Sequence, residues 1–180
     1  MASRWDTIDS GDGAMRCYVS VPPGPGPGPA VIVIQHAGGV DEFVRSMSDR
    51  LAEAGFVAVA PDLYHRDDQN SSDDAMTRMG RLRDTRITRD VNAAAEHAAG
   101  LPEVQRDRIG ITGFCMGGRV TYLMAGANPT FKAAVVFYGG NIMVPWGEGS
   151  APFEMSDQIV CPVLGLFGED DPNPNPEDVA

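Results

Sequence analysis

The chain has 180 residues, 43% of them hydrophobic and 22% charged, a balance that fits a single globular domain over residues 1–180 with a core of its own. Its formal charge of −11 repels phosphate backbones and anionic lipid, which argues against nucleic acid and membrane surfaces as partners, and no apolar run approaches the ~20 residues a membrane span needs. Cys17, Cys115 and Cys161 are odd in number and far apart, so they form no disulfide framework; with no basic-then-apolar leader in MASRWDTIDSGDG, a reduced, cytoplasmic protein is the expectation.

In chain order, Met15–Val21 reads as an early strand, followed by a stiff, solvated connector, PPGPGPGP (22–29), which has no ladder capacity. It cannot cradle phosphate, because it precedes a strand and its prolines lack amide donors. AVIVIQ (30–35) is a continuous β-branched run, the mark of a strand buried on both faces. Phe43, Val44, Met47 and Leu51 recur at helical spacing and Gly55 supplies a stop; FVAVAP (56–61) is the next buried strand. His65–Arg83 is too charged for core and reads as a surface excursion. Ile87, Val91, Ala94, Ala95 and Ala98 form a second helical stripe closed by Gly100. RIGITG (108–113), AAVVFYG (133–139) and CPVLGLFG (161–168) are three more strands, and residues 176–179 read as the start of a helix. Buried strands alternating with amphipathic helices specify a mostly parallel α/β sheet, whose ligands sit beyond the carboxyl ends of the strands.

One strand end carries the chemistry. Gly113-Phe114-Cys115-Met116-Gly117 is G-x-C-x-G, the thiol version of the nucleophile elbow, in which a strained backbone lifts the nucleophile clear of the sheet. Cys115 falls at a helix N-terminus, where free amides and the helix dipole favour thiolate, and the Met116 amide is one natural oxyanion donor. The alternative for Cys115 is a small buried core thiol, the role assigned to Cys17 and Cys161. No pair of histidines has metal-ligand spacing, so a zinc site is not expected.

VIVIQHAGGV (31–40), PDLY (61–64), GFCMGGR (113–119), VVFYGG (135–140) and LFGEDD (166–171) stand in the order of the dienelactone hydrolase family, and the chain resembles that family over nearly its whole length. The resemblance implies an α/β-hydrolase three-layer sandwich and a cofactor-free hydrolase (carboxymethylenebutenolidase type) that cleaves a lactone or carboxylic ester through a cysteine nucleophile. Carried over by position, Cys115 is the nucleophile and Asp171 the triad acid, with Asp170 the alternative. Ala37 and Met116 supply the oxyanion amides. His36 stands where family members carry a glutamate; it either bonds the thiol, shapes the oxyanion loop or is structural. The triad histidine is absent from residues 1–180, since His65 reads as a solvated surface residue and His97 as a helix-face residue. The chain is therefore expected to lack the last strand and helix of the fold, to leave Val163–Phe167 as an uncovered edge, to be poorly soluble, and to turn over activated esters weakly at most. Arg78, Arg81 and Arg83 are candidates for a substrate carboxylate, and Tyr64, Tyr138 and Trp146 for a pocket wall, with surface charge and ordinary packing as the alternatives. Two other functions stay open: a catalytically impaired fragment with a binding role, and a glutaminase-type amidotransferase.

Overall fold

The β-branched runs pair side by side in a computed structural model that describes residues 1–68 and 70–180. The strands are β1 (Ala2–Asp9), β2 (Ala14–Val21), β3 (Gly28–Ile34), β4 (Val57–Pro61), β5 (Val104–Phe114), β6 (Ala134–Phe137) and β7 (Val163–Leu166). They form one sheet in the order β1-β2-β4-β3-β5-β6-β7, antiparallel from β1 to β4 and parallel from β4 to β7. The helices are α1 (Glu42–Glu53), α2 (Ala75–Gly80), α3 (Asp84–Gly100), α4 (Met116–Ala127) and α5 (Pro176–Val179), with a 3-10 helix at Pro152–Gln158. This is the α/β-hydrolase architecture.

Alternation along β3 sorts its side chains between two layers. Ile32 and Ile34 face the larger core, shared with Ile87, Val91 and Ala94 of α3 and Val120 and Met124 of α4. Val31 and Val33 face the other side, where Val44, Met47 and Leu51 of α1 pack with Tyr18, Ala58 and Phe114. Asp41 caps α1 by accepting the Val44 amide, and Gly55 ends its turn at φ +96°, a backbone setting that favours glycine. The α1 layer covers only the β2–β4–β3 half. Beyond it, Gly110, Thr112, Val135 and Phe137 line an apolar cleft of about 500 Å³ together with Met47 and Leu51, and all four residues of β7 are exposed.

Three expectations are revised and one strand is added. The connector ends earlier: Gly28 and Pro29 already belong to β3, and the β3–β5 register slips between Gly28 and Ala30, as befits a residue with no amide to give the ladder. β1 has no counterpart in the sequence reading because both its faces are largely wet, so it lacks an apolar period; its signal is the turn Asp9-Ser10-Gly11-Asp12-Gly13, closed by Ser10 N–H donating to Gly13 O. His65 is not solvated. Its side chain is 4% exposed, set between Ala14 O and Asp90, because the excursion folds back over α3. Cys161 is only half-buried, whereas Cys17 is fully buried as expected.

Candidate active site

The parallel register decides what meets at the carboxyl end of the sheet. Ile34 pairs with Gly113, Phe114 with Phe137, and Phe137 with Leu166. The segments that follow (36–39, 115–118, 138–141 and 167–171) therefore emerge side by side. Aromatic packing runs beneath them: Phe114 stacks on Phe137 with centroids 4.8 Å apart, and Phe43 of α1 meets Phe114 edge-on at 5.0 Å.

Cys115 is exposed, at φ 56° and ψ −118°, a left-handed setting that costs a non-glycine residue about 1–3 kcal/mol. The turn is held by Cys115 N–H donating to Phe137 O at 3.0 Å and by Cys115 O accepting the Gly118 and Arg119 amides. Glycine is obligatory on either side. A Cβ on Gly113 falls 2.2 Å from Gly117 O, and one on Gly117 falls 2.5 Å from Ile34 O, both backbone atoms. Met116 opens α4, so its amide lies in the first turn, where no helical carbonyl can receive it.

The loop after β3 turns tightly, with Gly39 N–H donating to His36 O at 3.0 Å. His36 Nδ1 accepts the Gly38 amide at 3.1 Å, which leaves Nε2 as the protonated nitrogen donating to Asp41 at 2.9 Å. Both ring nitrogens are thus engaged, one by loop backbone and one by Asp41, and no bond joins the imidazole to Cys115 among the described residues. The Tyr64 hydroxyl donates to Ala37 O at 3.0 Å and lies 3.6 Å from Met116 Sδ. Burial pushes the Tyr64 phenol up to about 12, so it stays a donor through the neutral range.

Asp171 follows β7 and is partly exposed; its Oδ1 accepts the Asn173 amide at 2.9 Å. Asn173 Oδ1 accepts the Asn141 amide at 3.1 Å, and Asn141 O accepts from Arg119 Nε at 3.0 Å. The loop after β7 is thereby tied to α4 through the loop after β6. Asp170 is exposed. The other two histidines face carboxylates elsewhere: His65 faces Asp90, and His97 bonds Asp6 at 2.9 Å across the α3–β1 contact, on the helix face expected for it. None of the three reaches Asp171 among the described residues.

The arginines of the excursion brace it. Arg78 bonds Asp67 and lies 4.1 Å over the Tyr64 ring, Arg81 pairs with Asp73, and Arg83 donates to Gly80 O and Leu82 O. Tyr138 is 41% exposed at φ 40°, while Trp146 lies under the Arg119 guanidinium at 4.0 Å. A cleft of about 480 Å³ opens between α2 and the loop after β6, lined by Met76, Met79, Leu82, Asn141 and Trp146. Asp12, His65 and Asp90 gather three metal-type donor atoms within 4.8 Å, but the cation there is the chain's own, since Arg66 bridges both carboxylates at 2.6–2.7 Å.

The sequence profile of the dienelactone hydrolase family matches residues 15–180. The chain belongs to the dienelactone hydrolase family. A relative in Methylorubrum extorquens named "Putative carboxymethylenebutenolidase" is 35% identical over 171 residues, covering 89% of this chain and 57% of its own length. A Synechocystis relative of the same name is 34% identical over 175 residues, covering 92% of this chain and 70% of its own. Among solved structures, "Putative Dienelactone Hydrolase" from Klebsiella pneumoniae superposes with a TM-score of 0.86 at 36% identity, over 98% of this chain and 76% of that one. The chain thus spans little more than half the length of the first of these dienelactone hydrolase relatives.

Proposed function

We propose that these residues carry the acyl-accepting half of a lactone or carboxylic-ester hydrolase that works through Cys115. The observation behind this reading is the exposed sulfur on a positive-φ turn framed by glycines that admit no Cβ. The Cys115 thiolate attacks the substrate carbonyl carbon, a C–S bond forms, and the π pair moves onto oxygen. The Ala37 and Met116 amides hold that oxyanion. Its collapse breaks the C–O bond, and the leaving oxygen takes a proton; in a lactone it stays tethered to the acyl group. Water then cleaves the thioester, giving a carboxylic acid and the free thiol. That second step calls for a histidine oriented by Asp171, and His36, His65 and His97 are all bonded elsewhere. Acylation is therefore expected to outrun deacylation in residues 1–180.

Mixing the chain with p-nitrophenyl acetate tests this. The expected result is a burst of about one p-nitrophenolate per chain, followed by slow release, with the acetyl group on Cys115 by mass spectrometry and no burst from Cys115→Ala. No burst, or equal slow iodoacetamide labelling of all three cysteines, overturns the hydrolase reading in favour of a fragment with a binding role.

A further inference from the structure

The loop that offers the Ala37 amide is held by contacts that account for three of the four polar groups in its two successive peptides. In the His36–Ala37 peptide, the carbonyl accepts the Gly39 amide. In the Ala37–Gly38 peptide, the carbonyl accepts the Tyr64 hydroxyl and the amide donates to His36 Nδ1. The group left over is the Ala37 N–H, which has no acceptor among the described residues. A trans peptide is planar, with its N–H directed opposite its C=O, so fixing both planes fixes where that N–H points.

Tyr64 contributes to this from a distance in sequence. It lies 27 residues from Ala37, is 1% exposed, and its position is set by Gln35, whose Oε1 accepts the neighbouring Leu63 amide at 3.1 Å. Its hydroxyl touches both residues whose amides form the oxyanion site, bonding Ala37 O and resting against Met116 Sδ. We propose that Tyr64 is a positioning residue that presets the oxyanion site by clamping the Ala37 carbonyl against the elbow. It touches no reacting atom. Without the hydroxyl, the Ala37–Gly38 peptide keeps only its Gly38 amide bond, and the turn whose preceding peptide carries the Ala37 N–H is less firmly set before a carbonyl arrives. This inference rests on the reading of Cys115 as an acyl acceptor.

The test compares two reactions of the same sulfur. Acylation by p-nitrophenyl acetate passes through an oxyanion; alkylation by iodoacetamide does not. In Tyr64→Phe, which keeps the ring and its packing, the burst rate is expected to fall about 10- to 100-fold while alkylation of Cys115 stays within about twofold of the parent. An unchanged burst rate overturns the proposal, and so does a parallel fall in both rates, which is what general loosening of the elbow produces. A parent chain that gives no burst removes the reading of Cys115 and this proposal with it, whereas a parent burst matched by Tyr64→Phe removes this proposal alone. A thermal unfolding midpoint for Tyr64→Phe close to the parent's is expected as well.

Discussion

At Cys115 the usual ranking of small residues should invert. Alanine normally stabilises a backbone position relative to glycine by restricting the unfolded chain, but at φ 56° a Cβ is strained. Cys115→Gly is therefore expected to be more stable than Cys115→Ala by about 1 kcal/mol, read from urea midpoints; the opposite order means the elbow is relaxed. The flanking glycines act through space instead. Gly117→Ala drives a methyl against Ile34 O and Gln35 O, backbone atoms that cannot swing aside, and should lose about 1–3 kcal/mol together with most of the burst. The sequence showed this frame plainly, since G-x-C-x-G is a local pattern. It could not show that His36 belongs to Asp41 or that Tyr64 clamps Ala37, because both are choices among polar partners that only the folded loop offers.

Among elements, the buried Arg119–Asp84 pair holds α4, α3 and the loop after β6 in one arrangement. Arg119 is fully buried, bonds both Asp84 oxygens at 2.6 and 3.0 Å, and also donates to Asn141 O and Val144 O. Asp84 in turn accepts the Trp146 amide. Two charges out of water tolerate poorly the loss of one partner. Arg119→Met is expected to destabilise the chain by about 3–5 kcal/mol, and adding Asp84→Asn should recover part of that loss in a double-mutant cycle. Additive losses mean that the pair is not coupled. In the sequence, Arg119 was only the last letter of a family motif, and Asp84 the residue after a charged excursion. Their pairing across 35 positions depends on α3 and α4 lying on the same face of the sheet.

For the whole molecule, two kinds of group set the pH range of stability. Burial works upward on Asp6, but bonds from His97 and Arg4 outweigh it, and the Arg66 guanidinium beside Asp12 holds that carboxyl far below its usual range. A depressed carboxylate stabilises the fold above its unfolded value and loses that contribution as pH falls, so acid should loosen the β1 hairpin, which both residues anchor. On the alkaline side, burial pushes Cys17 from its ordinary 9.0 up to about 12. A raised group contributes fully below its unfolded value and loses the contribution as pH climbs towards its folded one. Stability from urea unfolding should thus drop by about 2 kcal/mol from pH 9 to pH 10.5, and less in Cys17→Ala. A flat profile across that window means that Cys17 is not held protonated.

The exposed apolar edge at β7 should act at the same scale. Leu164 is 55% exposed on a strand that ends the sheet among the described residues, and the charge of −11 opposes contact between copies. Sedimentation should show association that grows with concentration and with added salt, as screening weakens the repulsion, and Leu164→Lys should suppress it. A monomer at every salt concentration overturns this.

By itself the sequence determined the alternation of strands and helices, the parallel centre of the sheet and the place of the elbow. Those features follow from short-range patterns: β-branched runs that must be buried, apolar residues at helical spacing, and glycines within two positions of a strained turn. Only the tertiary structure decided that β1 pairs as an edge, that His65 is enclosed against Asp90, and that Arg119 and Tyr64 reach across the fold to the loops around Cys115. Each of these is a long-range match between polar groups or wet strands. Such groups carry no period in the sequence and take their partners from whatever the packed sheet brings within hydrogen-bond reach.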